Sequence, residues 1–241
     1  MVRSMGNGES KRIAAIDALR GLSIVLMVAY HLGFDLVYYA GLPRGLLYNP
    51  LLNVLQPFFA SVFILLSGLS CKLSHSNLRR GVLLFLLGAG VTVVSMFTGL
   101  PIYMGILSFL GAAIILYDLL TPVLRKIPGP LLAAVNAAAF TVTYCFFPRE
   151  ADVSIGSHLW MLGLYPHGFK PADYFPLLPW FFLLLLGTTL AEPVMERRLP
   201  AWFYRVNPPV LPFLGRHTLL IYLLHQPLLV GIFWIWQRLT V

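Results

Sequence analysis

The chain has 241 residues, 59% of them hydrophobic and 11% charged, with a mean hydropathy of +0.81. A soluble domain carries about 25% charged residues, and 17 basic with nine acidic side chains are too few to cover a water-soluble surface of this size. A cytosolic globular enzyme is thereby excluded, and a polytopic membrane protein remains.

A helix that crosses hydrocarbon needs about 20 mostly apolar residues. Seven stretches qualify, each bounded by charge, Pro or Gly: 19–39, 51–71, 81–98, 102–121, 130–148, 176–191 and 212–236. The first is too long for a signal h-region, lacks a small-residue cleavage pattern and carries His31 and Asp35, so it reads as a retained span. The second contains Gln56-Pro57 and ends at Cys71. The third follows Arg79-Arg80, and its run Val82-Leu83-Leu84-Phe85-Leu86-Leu87 is apolar on every face, which excludes the alternation of a β-barrel. Thr98-Gly99-Leu100-Pro101 then predicts a tight antiparallel hairpin between the third and fourth spans. Between the fifth and sixth, 149–175 is the one long connection, and 157–165 is a candidate re-entrant segment. The expectation is an all-α bundle of about seven spans forming a single integral-membrane domain over 1–241, with 1–12 as a cytoplasmic tail. No internal repeat is apparent, and seven spans leave no room for a separate soluble domain.

Orientation follows from the basic residues. With the N-terminus inside, inner segments hold Arg3, Lys11, Arg12, Arg20, Lys72, Arg79, Arg80, Arg125, Lys126, Arg197, Arg198, Arg205 and Arg216, which is 13 of 17; Arg44, Arg149, Lys170 and Arg238 fall outside. The positive-inside rule then predicts N-in and C-out. The net charge of +8 reads as topology information and attraction to anionic membrane lipid, and no nucleic-acid motif accompanies it. On this topology Cys71 and Cys145 lie at opposite faces, so a disulfide between them is excluded and both read as structural or inert.

Ionisable residues at membrane depth are costly and mark functional sites. Measured from Arg20, His31 lies about 16 Å up the first span, near the midplane, and Asp35 about 22 Å up. Their i,i+4 spacing puts them on one helix face, where the carboxylate can hold the imidazole tautomer. His225, about 14 Å above Arg216, reaches a similar depth from the last span. Structural readings stand beside these: His225 or Gln226 can satisfy the Leu223 carbonyl freed by Pro227, and Gln56 precedes Pro57 in the same way. Asp17 and Arg20 read as an i,i+3 ion pair, or, with Arg79 and Arg80, as a cationic mouth for a phosphorylated donor. The loop offers His158, Trp160, Tyr165, His167, Asp173 and Tyr174, followed by Trp180, either as an interfacial belt or as a lid that stacks on a sugar. No zinc spacing, nucleophile elbow or phosphate-binding loop is present, and no metal is expected.

The run Arg12-Ile13-Ala14-Ala15-Ile16-Asp17-Ala18-Leu19-Arg20-Gly21, continuing through Leu26-Met27-Val28-Ala29-Tyr30-His31 to Phe34-Asp35-Leu36, resembles the opening of the heparan-α-glucosaminide N-acetyltransferase-like membrane acyltransferases, in a bacterial-type form with the catalytic membrane domain alone. Phe63–Gly68, Gly105–Ser108, Asp173–Trp180 and Leu219–Pro227 resemble later blocks of that family in order, with Ser108 where members often carry His. The resemblance implies a transmembrane acyltransferase of the bacterial inner (plasma) membrane, moving an acetyl group from cytoplasmic acetyl-CoA to an amine or hydroxyl of a sugar or glycan of the cell envelope. It implies donor binding at Arg20, with Arg79 and Arg80, and a reaction chamber holding His31, Asp35 and His225. His31 is the expected general base with Asp35 orienting it, His225 or Gln226 the expected oxyanion donor, and Gln56, Asp173, Trp180 and Gln226 the expected acceptor contacts. A proton-coupled transporter using the same His and Asp residues is the alternative, and a noncatalytic assembly subunit a third. The acceptor and the oligomeric state stay open, a homodimer among the arrangements allowed.

Overall fold

The structure is a computed structural model that describes residues 13–97, 101–154 and 157–240. It is helical, and among the described residues it contains no strand beyond an isolated bridge between Glu150 and Tyr165. The described residues form ten α-helices, in order α1 Ala14–Tyr39, α2 Pro50–Leu73, α3 Asn77–Met96, α4 Ile106–Leu124, α5 Gly129–Phe146, α6 Leu177–Thr189, α7 Ala191–Met195, α8 Ala201–Arg205, α9 Leu211–Arg216 and α10 Thr218–Thr240. Seven helical segments among the described residues are long and apolar enough to cross a membrane, α6 and α7 together supplying one of them, Leu177–Met195. The all-α, seven-span expectation holds.

The boundaries differ where hydropathy is a poor guide to helix ends. α1 starts five residues before the apolar stretch, because Asp17 in its first turn suits the positive helix end and Arg20 lies within reach of it. The fourth span starts at Ile106, after Gly105, and not at 102; the connection from α3 is therefore longer than the four-residue turn expected, of which Thr98, Gly99 and Leu100 lie outside the described residues. The last apolar stretch is broken at His217 into α9 and α10, where Gly215, His217 and Thr218 crowd weak helix formers together. At the start of α6, Leu178 is extended, as the residue before a proline is driven to be.

By internal contacts the chain forms two compact units, one running through Phe59 and resuming at Leu199, the other Ala60–Arg198. In the first, α1 packs along α9 and α10. The α1–α9 crossing is glycine-mediated from both sides: a Cβ on Gly21 would run into the Leu211 carbonyl, and one on Gly215 into the Asp17 carbonyl. Such small-residue crossings let helix backbones approach where no hydrophobic effect drives them together. Leu47, in the turn after α1, is buried here, as is Phe233 of α10.

In the second unit α3 and α4 form an antiparallel pair, and α5 lies on α6. α6 is the most enclosed span and α5 the least, so α6 is the core helix and α5 presents most of its surface to lipid. Ile64, Phe109, Ile114 and Leu184 centre the core. The connection after α5 folds onto this unit: Tyr174 donates its hydroxyl hydrogen to the Trp160 carbonyl, and the Phe175 N–H bonds Met104 at 2.9 Å. Burial pushes the Tyr174 phenol up, so it remains a donor. Residues 159–161 form a single 3₁₀ turn, and no helical hairpin is present in 157–165.

Candidate active site

His31 and Asp35 stand on one face of α1, and His225 and Gln226 on α10 faces them within the first unit. The His31 and His225 rings are 5.0 Å apart, centroid to centroid, at 75°. His31 Nδ1 lies 2.9 Å from the Met27 carbonyl and His225 Nδ1 2.6 Å from the Tyr222 carbonyl. A carbonyl oxygen only accepts, so each Nδ1 carries a hydrogen and each Nε2 points away from its own backbone. The Nε2 of His225 is buried and has no hydrogen-bond partner among the described residues. Two imidazoles thus meet at one place between apolar helices, each held by its own backbone.

Asp35 is 1% exposed. It does not bond His31, although the i,i+4 spacing predicts that contact. Both carboxylate oxygens accept from Gln226 Nε2, at 3.0 and 3.1 Å. The main-chain carbonyl of Met27 has taken the Nδ1 hydrogen of His31, which leaves the carboxylate free to cross to α10. Asp35 remains within electrostatic reach of His31. Gln226 Nε2 therefore ties α10 to Asp35 on α1, and the Gln226 Oε1 is buried without a partner among the described residues. The His225 ring bonds Tyr222, so it does not answer the Leu223 carbonyl that Pro227 frees.

The remaining sequence candidates are placed elsewhere. Arg20 Nη1 pairs with Asp17 at 3.2 Å, the helix-end ion pair. Arg79 is exposed at the start of α3, while Arg80 Nη2 donates to Cys71 Sγ at 2.9 Å. Gln56 is exposed on α2, and no hydrogen bond joins it to the four residues above. Asp173 Oδ2 accepts the Ile106 N–H at 3.3 Å, so this carboxylate caps the positive end of α4 and is not a free sugar ligand. Trp180 is 8% exposed and packed among Phe140, Tyr144 and Phe175, which removes its face from any sugar. The loop aromatics likewise stack on one another, Tyr103 on Trp160 and Phe169, and Tyr174 on Tyr165. Ser108 is buried where α4 meets Gly88 of α3, a contact closed by small groups. Neither cysteine forms a disulfide; Cys71 is buried and Cys145 exposed.

Seven helical segments long and apolar enough to cross a membrane, with His31, Asp35, His225 and Gln226 gathered between two of them, define an integral membrane protein with polar side chains at depth. The model for the heparan-alpha-glucosaminide N-acetyltransferase catalytic domain matches residues 12–227. The chain belongs to that family, whose membership implies membrane acetyltransferase activity. No curated protein and no solved structure matches the chain.

Proposed function

We propose that the protein transfers the acetyl group of cytoplasmic acetyl-CoA to an amine or hydroxyl of a sugar or glycan on the far side of the membrane, with the N-terminus inside. The observation that carries this reading is the pair of imidazoles, each held at Nδ1 by its own backbone, in a chain whose family acetylates. His31 takes the proton from the acceptor as its nitrogen or oxygen attacks the thioester carbonyl; the carbon–sulfur bond breaks, and the departing thiolate takes up the proton that His31 holds. His225, whose ring lies against His31, is the further member of the site. Asp35 offsets the positive charge on the imidazolium from nearby. Arg20 of the first unit serves the donor phosphates once it leaves Asp17, and Arg79 and Arg80 are the basic candidates of the second unit.

The test is labelled acetyl-CoA turnover by the purified protein. His31→Ala is expected to lower kcat by the 10²–10⁴-fold typical of a lost general base, with the fold intact because His31 bonds only its own helix. Acetyl-CoA is expected to raise the thermal midpoint of the wild type, since a ligand of the native state must stabilise it. Full turnover in His31→Ala would remove the assignment, and no midpoint shift at millimolar acetyl-CoA would favour a proton-coupled transporter.

A further inference from the structure

The second unit carries a polar feature that acetyl transfer does not use. Where α2 and α4 end and α3 begins, a cavity of about 210 Å³ opens between the α2–α3 turn and the last turns of α4. Lys72, in the last turn of α2, and Arg125, the C-cap of α4, line it. Among the described residues neither forms an ion pair. The first turn of α3 has no side-chain cap, so its positive helix end adds to theirs.

The same wall carries an acceptor, Asp118. Asn77, 7% exposed, donates its Nδ2 to the Cys71 carbonyl at 2.8 Å and so holds the α2–α3 turn that frames the cavity. A plain anion would answer Lys72 and Arg125 and leave Asp118 unanswered; a plain cation would do the reverse. A phosphate joined by a short link to a primary ammonium answers both.

Size and position narrow the source. Pockets that enclose drug-sized ligands measure about 300–1,000 Å³, so this one suits a headgroup and not a nucleotide. Three spans start or stop around it, which puts it at the level of lipid headgroups, where basic pockets between helices collect phospholipid. We infer that the cavity binds the phosphoethanolamine headgroup of a phospholipid, with the phosphate on Lys72 and Arg125 and the ammonium on Asp118. The inference does not depend on the acetyl-transfer chemistry.

Native mass spectrometry of the full chain in detergent tests it, using phosphatidylethanolamine, phosphatidylcholine and phosphatidylglycerol of identical acyl chains. Phosphatidylethanolamine is expected to bind about tenfold more tightly than phosphatidylcholine, whose quaternary ammonium has no N–H to donate. Asp118→Asn, a near-isosteric change on a half-buried side chain, is expected to abolish most of that preference. Lys72→Ala combined with Arg125→Gln is expected to weaken all three lipids. Displacement of the lipid by millimolar glycerophosphoethanolamine would support the headgroup chemistry and admit a soluble source; failure to displace, with the lipid preference kept, assigns the site to membrane lipid. Equal binding of phosphatidylethanolamine and phosphatidylcholine, a preference unchanged in Asp118→Asn, or displacement by equimolar coenzyme A would each overturn the inference.

Discussion

Gln226→Leu isolates the clamp between α1 and α10. The substitution removes both contacts to Asp35, at 3.0 and 3.1 Å, and leaves a carboxylate of 1% exposure facing an apolar side chain. Losing a hydrogen bond to a charged group costs about 1.5–3 kcal/mol, whereas interhelical polar contacts in a bilayer average about 0.6 and reach about 1.7 kcal/mol. The near-complete burial of Asp35 puts the cost near the overlap of these ranges, at about 2 kcal/mol. In a chain of this length 1 kcal/mol moves Tm by about 2–4 °C, so Gln226→Leu is expected to lower Tm by about 4–8 °C. The assay is thermal unfolding in detergent across a cycle of Asp35→Leu, Gln226→Leu and the double variant. Replacing both partners by apolar groups removes the unmatched carboxylate, so the double variant should be more stable than Gln226→Leu. A double variant as unstable as the two single losses added together would show that the residues do not act as a pair, and would refute this account.

Three further outcomes follow from the same geometry. Gly215→Val forces a side chain into the Asp17 carbonyl and should cost about 1–3 kcal/mol in thermal unfolding, while Gly90→Ala, with open space around it, should be neutral or gain about 0.5–1 kcal/mol; equal effects would deny the glycine-mediated crossing. Asp173→Ala should lose about 1 kcal/mol of stability through the uncapped α4, with the acceptor KM unmoved; a raised KM at unchanged Tm would return Asp173 to substrate binding. With the N-terminus inside, Cys145 should react from the outside of intact cells with a membrane-impermeant maleimide, while buried Cys71 stays unlabelled until unfolding; labelling of Cys145 only after permeabilisation would reverse the orientation.

The spans were legible because lipid imposes one requirement on every crossing segment, an apolar run that satisfies its own backbone, and composition reports that directly. Helix ends were less so: Asp17 and Arg20 look like a boundary by hydropathy yet lie inside α1. The meeting of His31 and His225 followed from depth alone, since both are ionisable groups near the midplane of different spans. The partner of Asp35 did not follow. Spacing along one helix suggested His31, but the nearer Met27 carbonyl satisfies that ring, and the interhelical choice of Gln226 depends on which faces of α1 and α10 meet. The present contacts of Asp173 and Trp180 were hidden for a similar reason: their chemistry suits a sugar, and only three-dimensional packing shows one on the start of α4 and the other in the core.

Each imidazole takes its aim from a carbonyl of its own helix, three or four residues back. If α1 and α10 move apart, as passage of a bulky acceptor would demand, both rings travel with their helices still pointing the same way and in the same tautomer. What separation alters is the gap between the two rings. The site therefore behaves less like a lock with fixed wards than like a pair of callipers, whose jaws keep their shape while the opening is set by ties such as Asp35–Gln226 and, further along, Gln237 to the Tyr39 carbonyl.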